Sequence, residues 1–183
     1  MPLVPFADID ALPPKARETW DALAAKLNIF RMLANADTLM VPALRLGGAI
    51  LSKQQLGADL RELVILLAAE LEGGEYEWNQ HVPIGLACGC TQAQIDAVKA
   101  RRYDDPAFDA REQALMVFAA QVIEKVRADE DVTRRAMEHF SPKEIVEIIL
   151  TCGFYMMMAR LTETTRTDID PPAGSVVVDS LRR

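Results

Sequence analysis

Along most of the chain apolar residues recur at three- and four-residue spacing, and strict alternation is almost absent. That period predicts helices packed with one face inward, an all-α fold rather than a sheet. A first helix is predicted over residues 14–27, because Pro13 and Pro14 suit a helical first turn whose N–H groups lack partners anyway. A second covers residues 37–52 despite Pro42 near its start, with Gly47 and Gly48 weakening its latter half. The central helix starts near Asp59 and sets Leu60, Leu63, Val64, Leu67 and Leu71 on one stripe. Ile65, Leu66 and Ala68 fill its other faces, so it is buried on most sides, and in so short a chain a neighbouring subunit is expected to supply part of the cover. Gly73 and Gly74 end it, where the left-handed conformation favours glycine.

The next predicted helix carries "EYEWNQH", residues 75–81, and stops near Gly89, after which Thr91 and Gln94 form a capping box for "TQAQIDAVKA". The loop "RRYDDPAF" leads to a helix over residues 109–126. In "SPKE", Ser141 caps a last helix, Pro142 takes its first position and Glu144 closes the box, and the helix runs to about Thr165. Its three consecutive methionines, Met156, Met157 and Met158, read as adaptable core or subunit packing. Residues 168–183, "DIDPPAGSVVVDSLRR", carry turn chemistry and a short β-prone patch, and are expected to form an extended tail.

A length of 183 residues, half of them hydrophobic, suits one domain with a core and is too short for two ordinary ones. The net charge of −7 leaves no basic stripe for a nucleic acid and no polybasic patch for an anionic membrane. "MPLVPFADID" lacks a basic leader with an apolar run, and by this reading no stretch approaches the roughly 18 apolar residues that span a bilayer. The expectation is a cytoplasmic protein without nucleic-acid or membrane partners. Cys88, Cys90 and Cys152 make a poor disulfide framework, and two histidines, His81 and His139, are too few for the usual metal constellations.

The candidate chemistry sits in "EYEWNQH". Glu77 and His81 are four apart, so on a helix they share a face, which Ile84 and Cys88 continue as an apolar wall. A carboxylate beside an imidazole favours its charged form while burial favours the neutral one, a balance that suits general acid–base work. Tyr76 and Trp78 flank the pair, and Pro83 loosens the helix just beyond it. Glu62 has a plainer reading. "DLRELVILLAAE" and "DAREQALMVFAAQ" share an Asp-x-Arg-Glu opening fifty residues apart, so Glu62 and Glu112 both read as third-position residues of helices capped by Asp59 and Asp109.

The stretch "RELVILLAAELEGGEYEWNQHVPIGLACGCTQAQIDAV" resembles the core of the carboxymuconolactone decarboxylase family, which includes the alkyl hydroperoxidase D-like proteins. The resemblance is strongest over residues 60–98 and is supported by "FYMMMARLTE" near the end. In the hydroperoxidase branch the core is a glutamate followed by Cys-x-x-Cys-x-x-x-His. On this sequence the glutamate falls on Glu62, the histidine on His81, the second cysteine on Glu77 and the first on Gly74. Both redox cysteines are absent, so the Glu-x-x-x-His form resembles the decarboxylase-like branch.

The resemblance implies an all-helical subunit assembling as trimers or hexamers, a site at a subunit boundary, no cofactor, and Glu62, Glu77 and His81 as catalytic residues. Decarboxylating a small carboxylated lactone or related carboxylic acid leaves an enolate that must be stabilised and protonated, which an imidazolium does. Glu77 is expected to orient His81, and Glu62 to make a second contact or a relay through Tyr76. Tyr76 and Trp78 would contact substrate, and Arg61 and Arg160 would meet its negative charge. The alternatives are a peroxiredoxin-like redox protein using Cys88 and Cys90, and a non-catalytic oligomer that binds a small molecule.

Overall fold

The computed structural model describes residues 1–173 together with Val176 and Ser180. Among these residues the regular elements are all helical: α1 (Pro14–Ala22), α2 (Asn28–Leu33), α3 (Asp37–Lys53), α4 (Ala58–Glu72), α5 (Glu75–Cys88), α6 (Gln92–Lys99), α7 (Ala110–Lys125), α8 (Glu130–Met137) and α9 (Pro142–Thr165), with short 3₁₀ turns at Ile9–Ala11 and Ala34–Ala36. The all-α expectation holds. The predicted tail over 168–183 lies largely outside the described residues; within them, residues 168–173 follow α9 without regular structure.

The core is organised around α4. Every residue from Leu60 to Ala69 is buried, and α5, α6, α7 and α9 surround the helix. The cover expected from a neighbouring subunit therefore comes from the chain itself, which folds four helices around one apolar rod. Leu63, Ile65, Leu66, Leu115, Met116, Phe118 and Ile148 fill the space between them. A second, smaller cluster around Ala16, Ala34 and Met40 joins α1 and α3 into an N-terminal layer. That layer meets the main body through α2 and α3, which lie against α9.

Local chemistry sets most of the boundaries. Thr91 with Gln94, Asp109 with Glu112, and Ser141 with Glu144 form reciprocal capping boxes at the starts of α6, α7 and α9, satisfying donors that a helix start leaves unpaired. Gly73 closes α4 with φ +70°. The predicted helix over 14–27 instead ends at Ala22, where Leu23 turns extended and the Lys26 ammonium folds back onto the carbonyls of Trp20, Asp21 and Leu23. Two short helices, α2 and α8, were not expected. Six residues give α2 too little length for a period to show, and α8 buries only Ala136 among charged residues.

One further difference concerns α9. Its 24 residues are long and apolar enough to cross a bilayer by length and composition, where no such stretch was expected. Its inner face packs on α4, α5 and α7 and carries Glu144, Thr151 and Thr162, which suits a core helix.

The two-residue turn between α4 and α5 is sterically constrained. A Cβ on Gly74 would stand 2.8 Å from Glu77 Oε2 and 2.9 Å from Ala159 Cβ, closer than real contacts allow. Gly74→Ala should lower the unfolding free energy by about 1–3 kcal/mol, the usual cost of overpacking. Gly48→Ala, with nothing within 4 Å of its Cβ, should be neutral or stabilising by roughly 0.5–1 kcal/mol. Urea midpoints of the two variants check this, and equal behaviour would refute the steric account.

Candidate active site

The turn at Gly73 and Gly74 folds α5 back along α4, which brings His81 opposite Glu62. His81 Nδ1 lies 2.8 Å from Glu62 Oε2, and the Arg61 guanidinium lies 3.1 Å from Oε1. Glu62 is fully buried, and each of its oxygens faces one cationic or potentially cationic group. A buried carboxylate is tolerated on those terms. An ionised carboxylate only accepts, so Nδ1 carries the hydrogen and Nε2 is left open on the other side of the ring. The Tyr155 ring stands edge-on to the imidazole at 4.9 Å and fixes its plane.

Glu77 has a different environment. It is 2% exposed, and its oxygens lie 3.1 and 3.0 Å from Thr162 Oγ1. The same hydroxyl lies 3.2 Å from each of the carbonyl oxygens of Met158 and Ala159. One hydroxyl has one proton to donate, so Thr162 Oγ1 shares it between the Glu77 carboxyl and the carbonyls of its own helix. Burial pushes the Glu77 carboxyl above its ordinary range, opposed in part by its own backbone N–H, Thr162 and the charge of His81.

Of these groups, Glu77, His81 and Tyr155 line a cavity of about 260 Å³ enclosed by α2, α3, α5 and α9. Its walls are mainly apolar, with Phe30, Leu33, Leu44, Leu51, Ile84 and Phe154 prominent. Gly47 admits the Phe154 ring to α3, since a Cβ there would stand 2.8 Å from Phe154 Cζ. Over one side runs the segment after α9. The Tyr76 hydroxyl donates to Asp170, which also accepts from the Asn28 N–H at 2.7 Å, and Gln80 bonds the Asp170 carbonyl at 2.9 Å and the Ala173 N–H at 3.1 Å. A larger, more open groove of about 560 Å³, edged by Lys15, Asp37, Thr38 and Arg45, lies elsewhere on α1 and α3.

The structure thus brings Glu62, Glu77, His81 and Tyr76 to one place but redistributes their tasks. Glu62 is no helix-start residue, because Gly57 occupies the cap of α4 and Glu62 bonds His81 directly. The orienting contact expected of Glu77 is made by Glu62, and Tyr76 serves the C-terminal segment rather than a relay. Trp78 is not among the residues lining the cavity and lies under the Lys99 ammonium, 4.5 Å from its ring centre. Neither arginine expected to meet an anion lines the cavity: Arg61 stands behind Glu62, and Arg160 pairs with Glu72 at 3.0 Å. Tyr155 and Thr162 went unnoticed in the sequence. Their only signal was two polar-tipped residues seven apart, two turns on one face of an apolar helix.

The helical fold is like that of AhpD-core proteins. The family model for the carboxymuconolactone decarboxylase family matches residues 42–120, somewhat under half of the chain. The matched span contains Glu62, Glu77 and His81 but not α9. Among solved structures, an uncharacterized peroxidase-related protein with an alkylhydroperoxidase AhpD core from Ralstonia eutropha JMP134 aligns with TM-score 0.79 and 20% identity over 92% of each chain. A protein of unknown function from Agrobacterium tumefaciens aligns with TM-score 0.68 and 23% identity over 75% of this chain and 94% of its own. A cysteine-to-alanine variant of the debrominase Bmp8 in complex with 2,3,4-tribromopyrrole aligns with TM-score 0.74 and 16% identity over 98% of this chain and 96% of its own. At these identities the likeness is one of fold. None of the curated proteins matches the chain in sequence.

The Glu77 environment has a thermodynamic signature. A carboxyl whose pKa is raised by folding binds more protons folded than unfolded, so its contribution is present at acid pH and lost as pH rises through the raised value. Glu77→Gln, which mimics the protonated acid, should melt a few degrees above the unmodified protein near pH 8 and level with it near pH 4. Calorimetry at both pH values checks this; a lower melting temperature for the variant near pH 8 would mean that Glu77 is an ionised, well-paired carboxylate.

Proposed function

We propose that the protein is a proton-transfer enzyme of the decarboxylase-like type, acting on a small lactone or related carboxylic acid with its own side chains as acid and base. The observation that carries this reading is the buried Glu62–His81 pair, 2.8 Å apart, with Nε2 of the imidazole open at the cavity wall. In decarboxylation the bond from carbon to the carboxylate breaks, its electron pair enters the adjacent carbonyl as an enolate, and the imidazolium delivers a proton to carbon. Glu62 stabilises the imidazolium, and a solvent proton restores it. In a double-bond shift the same imidazole first removes the proton and then returns it at another carbon. Glu77, whose carboxyl burial pushes above its ordinary range, is a second acid–base group of the site.

Likeness to this family also supports a redox function, and Cys88 and Cys90 were its candidates. The residues present favour acid–base work. Gly74 and Glu77 occupy the positions of the family's cysteine pair, and burial, with the charges of Glu62 and Asp59 adding to it, pushes the Cys90 thiol up to about 12. A nucleophilic thiol needs the opposite shift.

A homo-oligomer, trimeric or hexameric and cytoplasmic, belongs to the same reading. On the outer face of α9, Val146, Ile149, Leu150 and Met157 are exposed at helical spacing, an apolar stripe suited to a second copy of the subunit.

Two measurements test these points. Turnover of 4-carboxymuconolactone and of unsaturated lactones, followed by ultraviolet absorbance, carbon dioxide release and proton exchange in heavy water, should disappear in His81→Ala and fall by about 10²–10⁴ in Glu62→Gln. Activity retained in both variants, or none on the whole panel, would sink the reading. Light scattering should give three or six times the 20.3 kDa subunit mass, and Leu150→Glu should reduce it; a monomeric unmodified protein would contradict the assembly.

A further inference from the structure

The lining of the cavity restricts what enters it. Among the described lining residues there is no lysine or arginine. The guanidinium closest to the dyad, Arg61, is engaged by Glu62, and the ring nitrogen Nδ1 of His81 is bound to the same carboxylate. Glu77 adds a second carboxyl to the wall. Two other polar walls are already engaged: Gln80 holds the C-terminal segment through both ends of its amide, and the Tyr76 hydroxyl is bonded to Asp170. A carboxylate placed here would lose its water and, among the described lining residues, meet no lysine or arginine, a cost of several kcal/mol on general grounds, with the Glu77 carboxyl in the same wall.

Two groups keep an open hydrogen-bonding position toward this space. One is His81 Nε2. The other is the hydroxyl of Tyr155, a residue 5% exposed whose ring lines the cavity and whose oxygen bonds to no protein group among the described residues. Among those residues the only fully enclosed side-chain polar atom without a partner is Gln54 Oε1, so the Tyr155 oxygen is not fully enclosed, on a residue that lines the cavity. Burial holds the phenol well above its usual pKa, which keeps it a neutral donor. The two rings touch edge-to-face with centres 4.9 Å apart, close enough for both polar groups to reach one small ligand. The volume of about 260 Å³ equals roughly nine waters at about 30 Å³ each, which is room for a single ring with short substituents.

We propose that the cavity takes an uncharged monocyclic carbonyl compound, an unsaturated lactone or cyclic enone without a carboxylate, whose carbonyl oxygen accepts from the Tyr155 hydroxyl while the C–H of the saturated carbon next to the double bond faces His81 Nε2. This rests on the proton-transfer reading and narrows its substrate. The Nε2 lone pair takes a proton from the saturated carbon next to the double bond, and the bonding pair moves through the π system onto the carbonyl oxygen as a dienolate. Its oxygen keeps the hydrogen bond from Tyr155, and the imidazolium is balanced by Glu62. The same proton returns at another carbon of the conjugated system, so the double bond moves and no atom is gained or lost. Tyr155 is then a catalytic residue, touching the oxygen on which charge develops.

The test compares three five-membered rings on the full chain by titration calorimetry and ligand-observed NMR: 2(5H)-furanone, the same ring bearing a carboxylate at its saturated carbon, and cyclopentene, which lacks the carbonyl. The furanone is expected to bind at least about tenfold more tightly than its carboxylated counterpart. Tyr155→Phe, which keeps the ring against His81, should weaken furanone binding by about tenfold and leave cyclopentene unchanged, the loss expected for one hydrogen bond. Equal or tighter binding of the carboxylated ring, absence of furanone binding to folded protein, or indifference of furanone to Tyr155→Phe would each overturn the proposal. Proton exchange on the ring in heavy water is read separately. Furanone that binds as expected but exchanges no proton would remove the proton-transfer reading and leave the ligand class standing.

Discussion

A single buried carboxylate constrains this structure more than any other group. Glu62 lies in the middle of the most deeply enclosed helix, with no exposure to water, where an unpaired negative charge is intolerable. Arg61 answers one oxygen from the preceding position of the same helix, and the other must be answered from outside it. Only His81 does so, which requires α5 to fold directly back along α4. That return needs a two-residue turn with one left-handed residue, Gly73, and one without a side chain, Gly74, against which Glu77 and Ala159 close. The ion pair, the turn and the packing of α5 on α9 are thus parts of one requirement.

The two carboxyl groups of the site show how environment assigns different chemistry to the same side chain. Glu62 faces a guanidinium and an imidazole, partners that favour its charge. Glu77 faces a threonine hydroxyl already engaged with its own helix, and burial favours its neutral form. A carboxylate bonded to the imidazole and a second carboxyl whose pKa burial raises form an arrangement suited to moving a proton through a low-dielectric space. The apolar walls supply that space, and the segment after α9, tied down at Tyr76 and Gln80, closes one side of it.

Much of the fold was legible in the sequence because its helix starts are written in side chains that bond their own backbone. Thr91, Asp109 and Ser141 each announced a boundary with a partner three residues on, and each is found in place. The short helices α2 and α8 lacked both length and an apolar stripe, and were lost for that reason. The site was legible as a set of residues and not as a set of contacts. Glu77 and His81 share a helix face, which suggested a pair, yet the partner of His81 comes from nineteen residues earlier on another helix. Glu62 resembled Glu112 in its local sequence, but Asp109 caps its helix whereas Asp59 lies inside its own, a difference set by where Gly57 breaks the chain. Tyr155 and Thr162 stand in an apolar run where inward and outward faces look alike, and only tertiary packing shows that they point inward. Arg61 and Arg160 were equivalent as sequence, and one is buried behind the site while the other lies on the surface.

The central claim is that Glu62 fixes His81 with its hydrogen on Nδ1 and Nε2 open to the cavity. Long-range nitrogen–proton correlation NMR of imidazole-labelled protein reads this directly, and the chain has only one other histidine, His139, as an internal control. The account predicts that His81 in the neutral form shows a protonated Nδ1 and a bare Nε2, and that Glu62→Gln disturbs this preference while His139 is unchanged. A neutral His81 protonated on Nε2, or a tautomer indifferent to Glu62→Gln, would contradict it.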